Sequence, residues 1–242
     1  MGIVIELPKV SEEWEGRAHH YPIQIGYQTQ EFLQGSIFHA AYIDVAASQY
    51  TQMPGAFERI KSEFVDKDMD ESTWQLSWSC LRKYEGVFRE ALYQNVLIAM
   101  KSHWDWYISK LGQFVAFAIK HSGGQGLDRD LSESLRRVAF REMSEQLRVL
   151  EQVSGLNFEI QDTTIGSLKE MALVRNLGIH NRWEVNGYYR KHSRNKSWSV
   201  GELRTITVQE LEEWHSSLLE GINSTSVPIG ERYVSAPAYQ GL

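Results

Sequence analysis

The chain has 242 residues, of which 42% are hydrophobic and 12% aromatic, so it has the apolar content of a packed globular protein rather than of a disordered one. Cys80 is the single cysteine, which excludes an internal disulfide and a cysteine-rich zinc site and favours a reducing compartment. The formal net charge of −6, with a pI near 5.8, argues against bulk electrostatic binding of nucleic acid.

The N-terminal part of the chain divides into an arm and a helix. Residues 1–26 contain Pro8, Pro22 and Gly26 and show little helical periodicity, which predicts an irregular N-terminal arm. From Thr29 onward, apolar residues recur at steps of three and four until the dipeptide at 54–55, Pro-Gly, ends the pattern. We therefore predict a helix from Thr29 to that break, and a short helix over 56–68.

The middle of the chain is rich in Trp, Tyr, Leu and Phe. Between Ser72 and His121 it has no proline and only two glycines, Gly86 and Gly112, which predicts two long helices. The glycine-rich segment 122–126 predicts a flexible turn rather than a phosphate-binding loop, because no strand precedes it and no Gly-Lys-Ser/Thr sequence follows. A further helix is predicted from Asp128 to Ser154, before Gly155.

Two capping-box patterns indicate where the last helices begin. The first, Ser167 to Glu170, predicts a helix that begins there or slightly earlier at Thr163, and that continues through residues 175–180 towards 183. After a short extended segment near 203–207, the second pattern, Thr207 to Glu210, predicts the final helix.

These elements predict a mainly α fold. The expected architecture is a bundle of about five to seven helices that forms a single domain over residues 27–224. Residues 225–242 contain Pro228, Gly230 and Pro237, which predicts a loosely ordered tail. The first ten residues lack the apolar stretch of a signal peptide, and no apolar run approaches a membrane span, so we expect a soluble, cytoplasmic protein without a membrane partner.

Basic residues are concentrated between Arg175 and Trp198. Glu184 is the one acid in this window, against six bases: Arg175, Arg182, Arg190, Lys191, Arg194 and Lys196. The window therefore carries a charge of +5, and the rest of the chain −11. A basic strip on an acidic body fits a confined anionic substrate better than a long duplex. The alternative is a solvated loop of mixed charge.

Arg175, Asn176 and His180 combine a fixed positive charge, a hydrogen-bonding amide and a proton carrier, which suits chemistry on a phosphodiester. On an ideal helix Arg175 falls within the apolar arc, where an unpaired guanidinium costs several kcal/mol unless it meets an acid, a carbonyl group or a bound anion. Asn176 and His180 are four residues apart, so the amide can hold the imidazole. Alternatively, Arg175 extends to a surface acid and His180 is an ordinary surface histidine. The mid-helix Gly178 predicts the close approach of a second helix.

The residues at 175–182, Arg-Asn-Leu-Gly-Ile-His-Asn-Arg, resemble the signature of HEPN-domain proteins: an arginine, a polar residue, a short spacer and a histidine. The apolar residues at 168–174 before the motif, and the segments at 188–191 and 201–203 after it, are also similar to those of HEPN-domain proteins. The resemblance is strong over residues 163–222 and only architectural before them.

The resemblance implies an all-helical homodimer in which the motif helices of two subunits face each other across a cleft. Many HEPN proteins are metal-independent endoribonucleases of toxin–antitoxin, defence or RNA-processing systems, often held by a regulatory or antitoxin protein. Others have lost catalysis and bind a nucleotide, RNA or a protein. By position Arg175 and His180 would be catalytic and Asn176 supporting, with neither a metal nor a cofactor. Cleavage would use the RNA 2′-hydroxyl and yield a 2′,3′-cyclic phosphate.

One position departs from a HEPN subgroup that is paired with nucleotidyltransferase antitoxins. That subgroup carries a tyrosine two residues after the histidine, where this chain has Arg182, so neutralisation by modification of a tyrosine is not expected here. Arg182 would instead add a phosphate contact. The candidate RNA-binding residues are Arg182, Tyr189, Arg190, Lys191 and Arg194, and the aromatic candidates for stacking unpaired bases are Tyr188, Tyr189 and Trp198. The alternative for the aromatic residues of this window is packing at helix ends, and a purely structural helical protein is the alternative for the whole motif.

Overall fold

The computed structural model describes residues 20–52, 55, 70, 72, 85–121 and 129–233. Seven α-helices lie within them: α1 His20–Gln52, α2 Glu85–His121, α3 Arg129–Arg136, α4 Met143–Ser154, α5 Asp162–Asn181, α6 Gly187–His192 and α7 Val208–Arg232. The prediction of a mainly α helical bundle is thus confirmed. Three predicted elements fall outside the described residues: the helix at 56–68, the first of the two helices after Ser72, and the turn at 122–126. Between Ser72 and His121, the continuous description starts with α2 at Glu85.

Helix α2 lies at the centre of the bundle and contacts α1, α3, α5 and α7. Its large side chains Trp104, Tyr107, Leu111 and Phe114 are fully buried. Each buried polar group among them has a partner: the Trp104 indole donates to Gln146 Oε1 at 2.6 Å, and the Tyr107 hydroxyl donates to the Ile222 carbonyl oxygen at 3.1 Å. Burial raises the pKa of Tyr107, so this hydroxyl stays neutral in the core.

Helix α1 begins at His20, so the prediction of an irregular arm is wrong for residues 20–26. Pro22 lies in the first turn, where backbone N–H groups have no intrahelical acceptor and a proline costs little. Gly26 serves packing: a Cβ atom there would lie 3.0 Å from Ser226 Oγ on α7. Local breaker residues were therefore a poor guide to the start of this helix.

Helix α7 also exceeds its prediction, because it continues to Arg232 instead of ending near Ser224. Pro228 lies inside it, and the surrounding turns remain helical because Thr225, Ile229 and Gly230 are buried against the rest of the bundle. The start is as predicted. The Thr207 hydroxyl accepts from Glu210 N at 3.2 Å, and the Glu210 carboxylate accepts from Thr207 N at 3.0 Å.

The single helix predicted from Asp128 to Ser154 is instead interrupted. Helix α3 ends at Arg136, a 3-10 turn occupies Val138–Phe140, and α4 begins at Met143. The turn buries Val138 against Gly112 of α2, where an added Cβ would lie 3.2 Å from Val138 Cγ1, and leaves the Phe140 ring exposed. The predicted C-terminus is correct: Gly155 follows α4 with a φ of 69°, a conformation that glycine adopts without a steric penalty.

The predicted extended segment near 203–207 is non-helical and contributes one antiparallel bridge, between Leu203 and Glu184. Hydrogen bonds from Val185 N to the Glu202 carbonyl oxygen and from Arg204 N to the Trp183 carbonyl oxygen, both 2.8 Å, join the two segments. This link returns the chain from α6 to the start of α7. None of the helices in the described part of the chain has the length and apolar character needed to cross a membrane.

Candidate functional site

Helix α5 carries the three candidate catalytic residues and begins before the predicted capping box. Its first residue is Asp162, whose charge suits the positive end of a helix dipole. The Thr164 hydroxyl donates to Glu220 Oε2 on α7 at 2.7 Å, which anchors this first turn. Ser167 lies inside the helix and is buried, and its hydroxyl has no hydrogen-bond partner in the described part of the chain, so the capping box at Ser167 is wrong.

The buried face of α5 is centred differently from the predicted apolar arc. Leu168, Met171 and Val174 are at most 1% exposed, whereas Ile179 is 44% exposed. Arg175 is half-buried at the edge of this face rather than at its centre. The predicted arc of Leu168, Met171, Ala172 and Ile179 coincides with the buried face only at Leu168 and Met171, because packing of α5 on α2 and α7 selects which residues face inward.

Arg175 and Asn176 form a pair, since Arg175 Nη1 donates to Asn176 Oδ1 at 3.1 Å. No hydrogen bond joins Asn176 and His180, so the predicted contact between this amide and the imidazole is not formed. Arg175 Nε is buried and has no hydrogen-bond partner among the described residues. Among the described residues the arginine therefore meets one amide carbonyl oxygen and no acid, and its Nε has no acceptor, an environment that a bound anion would complement.

His180 lies in the last turn of α5 and is exposed. The helix ends at Asn181, and the next two residues, Arg182 and Trp183, have φ values of 50° and 67°. Left-handed backbone at residues other than glycine costs about 1 kcal/mol or more for each residue. The turn folds the Trp183 indole over Gly178, where any side chain would overlap the ring. The close approach predicted at Gly178 therefore occurs, but it comes from this chain's own indole and not from a second helix.

A groove of about 590 Å³ opens beside Arg175. Residues from α2, the 3-10 turn at 138–140, the start of α4, α5 and α6 line it. We call it the basic groove, because its charged lining consists of four cations and two acids: Lys101, Arg141, Lys169 and Arg175 against Asp105 and Glu142. The arrangement favours an anionic ligand.

The cations of the basic groove are held in different ways. Lys101 is 7% exposed and forms an ion pair with Asp105, so this pair is largely neutral. Arg141 forms an ion pair with Glu145 and donates from Nη2 to Ser134 Oγ at 3.3 Å. Like Arg175, Arg141 has a buried Nε for which the described residues provide no hydrogen-bond partner.

Aromatic side chains border the same groove. Phe140, in the 3-10 turn, is 90% exposed, and Tyr188 on α6 is 58% exposed. The rings of Tyr188 and His192 lie with centroids 4.4 Å apart at a tilt of 32°. The basic groove therefore combines cationic side chains with accessible ring faces.

The structure divides the predicted site residues. Arg175 and Asn176 line the basic groove, but His180 is not part of its lining. The five candidate RNA-binding residues all lie in the described part of the chain, and none of them lines the groove either. Helix α6 presents Tyr188 and His192 to it instead.

Tyr189 is corrected from a base-stacking residue to a packing residue. It is 2% exposed, its hydroxyl donates to Glu170 Oε1 at 2.9 Å, and it accepts from Arg204 Nε at 3.1 Å. Burial raises the pKa of Tyr189. The ring is therefore enclosed by the fold, as in the alternative of helix-end packing that the sequence left open.

The four predicted RNA-binding cations are exposed, although two of them already contact backbone groups. The Arg194 guanidinium lies over Gly166 and donates to the Thr163 carbonyl oxygen at 3.2 Å. The Arg190 guanidinium donates to the Lys196 carbonyl oxygen, and Lys196 Nζ returns a bond of 2.9 Å to the Arg190 carbonyl oxygen. These bonds stabilise the loop after α6. Arg182 and Lys191 are exposed as well.

Glu170 fixes α6 against α5. This carboxylate is 9% exposed and accepts three hydrogen bonds, from the Tyr189 hydroxyl at 2.9 Å, the Ser193 hydroxyl at 2.7 Å and Arg194 N at 2.8 Å. Arg204 continues the network, with an ion pair to Glu210 and its guanidinium over the Trp198 ring. Because the network holds Tyr189 and the residues just after the C-terminal end of α6, it also sets the position of Tyr188 and His192 at the basic groove.

The sequence analysis missed most residues of the basic groove, above all Lys101, Phe140, Arg141, Lys169 and His192. They come from four separate elements and share no local motif. The one available signal was the cluster of arginines at 136, 137 and 141 around an apolar tripeptide. Apolar periodicity places that cluster within one predicted helix from Asp128 to Ser154.

The described residues contain no group of three or more His, Cys, Asp or Glu side chains that could hold a metal ion. Comparisons with known proteins found no family model, no curated protein and no solved structure that matches this chain. The similarity to HEPN proteins therefore rests on the residues at 175–182 and their surroundings, and it stays a prediction.

Proposed function

We propose that this chain is a metal-independent endoribonuclease of the HEPN type, which acts as a toxin, defence or RNA-processing effector. The observation that best supports the proposal is the environment of Arg175. Its guanidinium borders a groove with an excess of cations, and its Nε has no acceptor among the described residues. Charge-assisted hydrogen bonds from arginine to phosphate oxygens are strong and geometrically specific. A phosphodiester in the groove is a ligand that would pair with this guanidinium.

In the proposed reaction the ribose 2′ oxygen forms a bond to the adjacent phosphorus while the bond from phosphorus to the 5′ oxygen of the next nucleotide breaks. The 2′-hydroxyl loses a proton and the 5′ oxygen gains one, which leaves a 2′,3′-cyclic phosphate and a 5′-hydroxyl end. Arg175 would stabilise the negative charge on the phosphoryl oxygens. His180 would carry one of the two protons. Asn176 would hold the Arg175 guanidinium, in line with the bond of 3.1 Å between them.

His180 bears on the oligomeric state. It is exposed in the last turn of α5, and it lies outside the lining of the basic groove within one chain. Asn176 and Ile179 are exposed on the same helix. The proposal therefore includes a homodimer in which the α5 helices of two copies face each other, so that His180 of each copy reaches a substrate shared with the other.

Cleavage assays with matched variants test the proposal. Purified protein is incubated with single-stranded and structured RNA in excess chelator, and the product ends are analysed by mass spectrometry. We expect cleavage with cyclic phosphate ends, no cleavage of a 2′-deoxy substrate, and loss of cleavage in Arg175→Ala and His180→Ala. Arg148→Ala and His39→Ala are the controls, because both side chains are exposed and lie outside α5 and the groove. Cleavage at the parental rate by both motif variants would refute the mechanism.

The second candidate function is a non-catalytic module that binds RNA or a nucleotide. The position of His180 outside the groove lining favours it, because a binding site needs Arg175 but no proton carrier. In the same assay this function gives retention of RNA without cleavage, with retention lost in Arg175→Ala and preserved in His180→Ala. Sedimentation analysis of the parent adds a separate criterion, since the endoribonuclease requires a dimer and the module does not.

A further inference from the structure

We propose that the basic groove is a binding site for one unpaired nucleotide, with its phosphate at Arg141 and Arg175 and its base stacked on Phe140. The inference deepens the proposed function and rests on it for the identity of the ligand as RNA. It assigns a role to Arg141 and Phe140, two residues outside the motif at 175–180.

The phosphate half of the site rests on the two arginines. Each is oriented by the fold through its terminal nitrogens, Arg175 by Asn176 and Arg141 by Ser134 and Glu145. Each also has a buried Nε without a hydrogen-bond partner among the described residues. Two preoriented guanidinium groups that border one groove favour an oxyanion with several acceptor oxygens. Lys169 adds a third cation, exposed at the same groove.

The lining contains two carboxylates that could compete with a bound anion for these cations. Of the two acids in the lining, Asp105 is engaged by Lys101 and also accepts from Gln146 Nε2 at 3.1 Å. Glu142 precedes α4 and is exposed. Arg141 is paired with Glu145, so the lining cations without an ion pair among the described residues are Lys169 and Arg175, against the exposed Glu142.

The base half of the site rests on Phe140. The 3-10 turn buries Val138 at 1% exposure and leaves the neighbouring Phe140 ring 90% exposed at the groove, next in sequence to Arg141. A ring face beside cations is the usual arrangement for stacking an unpaired base, and it does not read base identity. Tyr188, with His192 against it, offers a second ring face from α6 for a neighbouring base.

The size of the groove limits the ligand. A volume of about 590 Å³ lies within the range of about 300–1,000 Å³ that is typical of small-molecule sites. Such a space accommodates a nucleotide unit. Base pairing would cover the base edges and stacking within a duplex would cover the faces, so the ring at Phe140 favours a single-stranded segment or a loop.

Binding of an uncleavable probe tests the site without reference to catalysis. The full-length parent is titrated against a fluorescent single-stranded 2′-deoxy oligonucleotide in chelator, with inorganic phosphate and adenosine monophosphate as competitors. We expect Phe140→Ala to weaken binding by roughly five- to a hundred-fold, and Phe140→Trp to retain it. Arg141→Ala should weaken binding and lower the slope of log K against log salt by about one.

Matched controls come from elsewhere in the chain. Phe38→Ala removes a ring that is 73% exposed on α1, and Arg148→Ala removes an exposed arginine of α4. Neither residue lines the groove, so both variants should bind as the parent does. Circular dichroism checks that Phe140→Ala folds, which its exposure makes the expected result.

The outcomes separate this inference from the proposed function. If the parent binds the probe with the expected pattern but never cleaves RNA, the nucleotide site stands and the endoribonuclease fails. If RNA is cleaved while Phe140→Ala and Arg141→Ala bind and cleave like the parent, the endoribonuclease stands and the nucleotide site is overturned. The site is overturned too if the parent does not bind the probe, or if Phe140→Ala changes only self-association in sedimentation, which would assign the ring to a protein contact.

Discussion

Replacement of Arg175 by methionine should make the protein more stable and inactive at once. The guanidinium is half-buried beside Ala172 and Leu173, and its Nε is buried without a partner among the described residues. Methionine has a similar length and leaves no polar atom unpaired. If Arg175 binds a ligand and does not support the fold, its removal should stabilise the ligand-free protein, because the buried donor without an acceptor is removed.

The magnitude follows from two opposing terms. A buried donor without a partner costs about 1–3 kcal/mol, and the single hydrogen bond from Arg175 Nη1 to Asn176 contributes about 0.5–1.5 kcal/mol. The expected net effect is a gain in the free energy of unfolding of about 1 kcal/mol. For a chain of 150–250 residues this corresponds to a rise in melting temperature of about 2–4 °C.

Urea unfolding of the parent and Arg175→Met, followed by circular dichroism, measures this gain as a shift in midpoint at constant slope. Arg148→Met is the control. That side chain is 74% exposed and has one ion pair at 3.7 Å, so its replacement should change stability by less than about 0.5 kcal/mol. A loss of more than about 1 kcal/mol in Arg175→Met alone would show that Arg175 supports the fold, and the argument for an unmet anion partner would fail.

Three further predictions concern the supports of the site. Gly178→Ala should lose about 1–3 kcal/mol of stability in urea unfolding, because the new methyl group overlaps the Trp183 indole, and the same change should become stabilising in a Trp183→Ala background; a loss of equal size in both backgrounds contradicts the contact. Glu170→Gln should lose about 2 kcal/mol in the same assay, because an amide cannot accept all three hydrogen bonds that the carboxylate receives; parental stability would show that these bonds are dispensable. Burial lowers the pKa of His103 below its ordinary value of 6.5, so the unfolded chain takes up this proton first and stability should fall as the pH drops below about 6.5. His103→Phe, which keeps the stack on Phe32, should reduce that slope in unfolding curves collected from pH 7 to 5, and an unchanged slope would exclude His103 as its source.

The parts of the fold that follow local rules could be predicted from the sequence. The capping box from Thr207 to Glu210 and the glycine after α4 are correct, because each feature is satisfied by hydrogen bonds within a few residues. The helix through residues 175–180 is correct for the same reason. Its start at Asp162 lies one residue from the predicted alternative at Thr163, whereas the capping box at Ser167 is wrong, because that hydroxyl is buried inside the helix.

Helix ends that depend on packing could not be predicted in this way. Pro22, Gly26 and Pro228 are breakers by local criteria, yet α1 and α7 contain them. Contacts between these two helices, including the close approach of Gly26 to Ser226, stabilise the helical conformation that the local sequence disfavours. The opposite happened at 137–142, where apolar spacing suggested one helix and burial of Val138 requires a break.

The sequence by itself determined that this chain is a helical bundle with a basic window, and that Arg175, Asn176 and His180 lie on one helix. Only the tertiary structure decided which of them share a groove, because that depends on α2, α4 and α6 as well as on α5. It placed Arg141 and Phe140 beside Arg175, left His180 outside and enclosed Tyr189. The physical reason is that helical periodicity specifies faces within one element, while the partners of each face are chosen by long-range packing and by the pairing of buried polar groups.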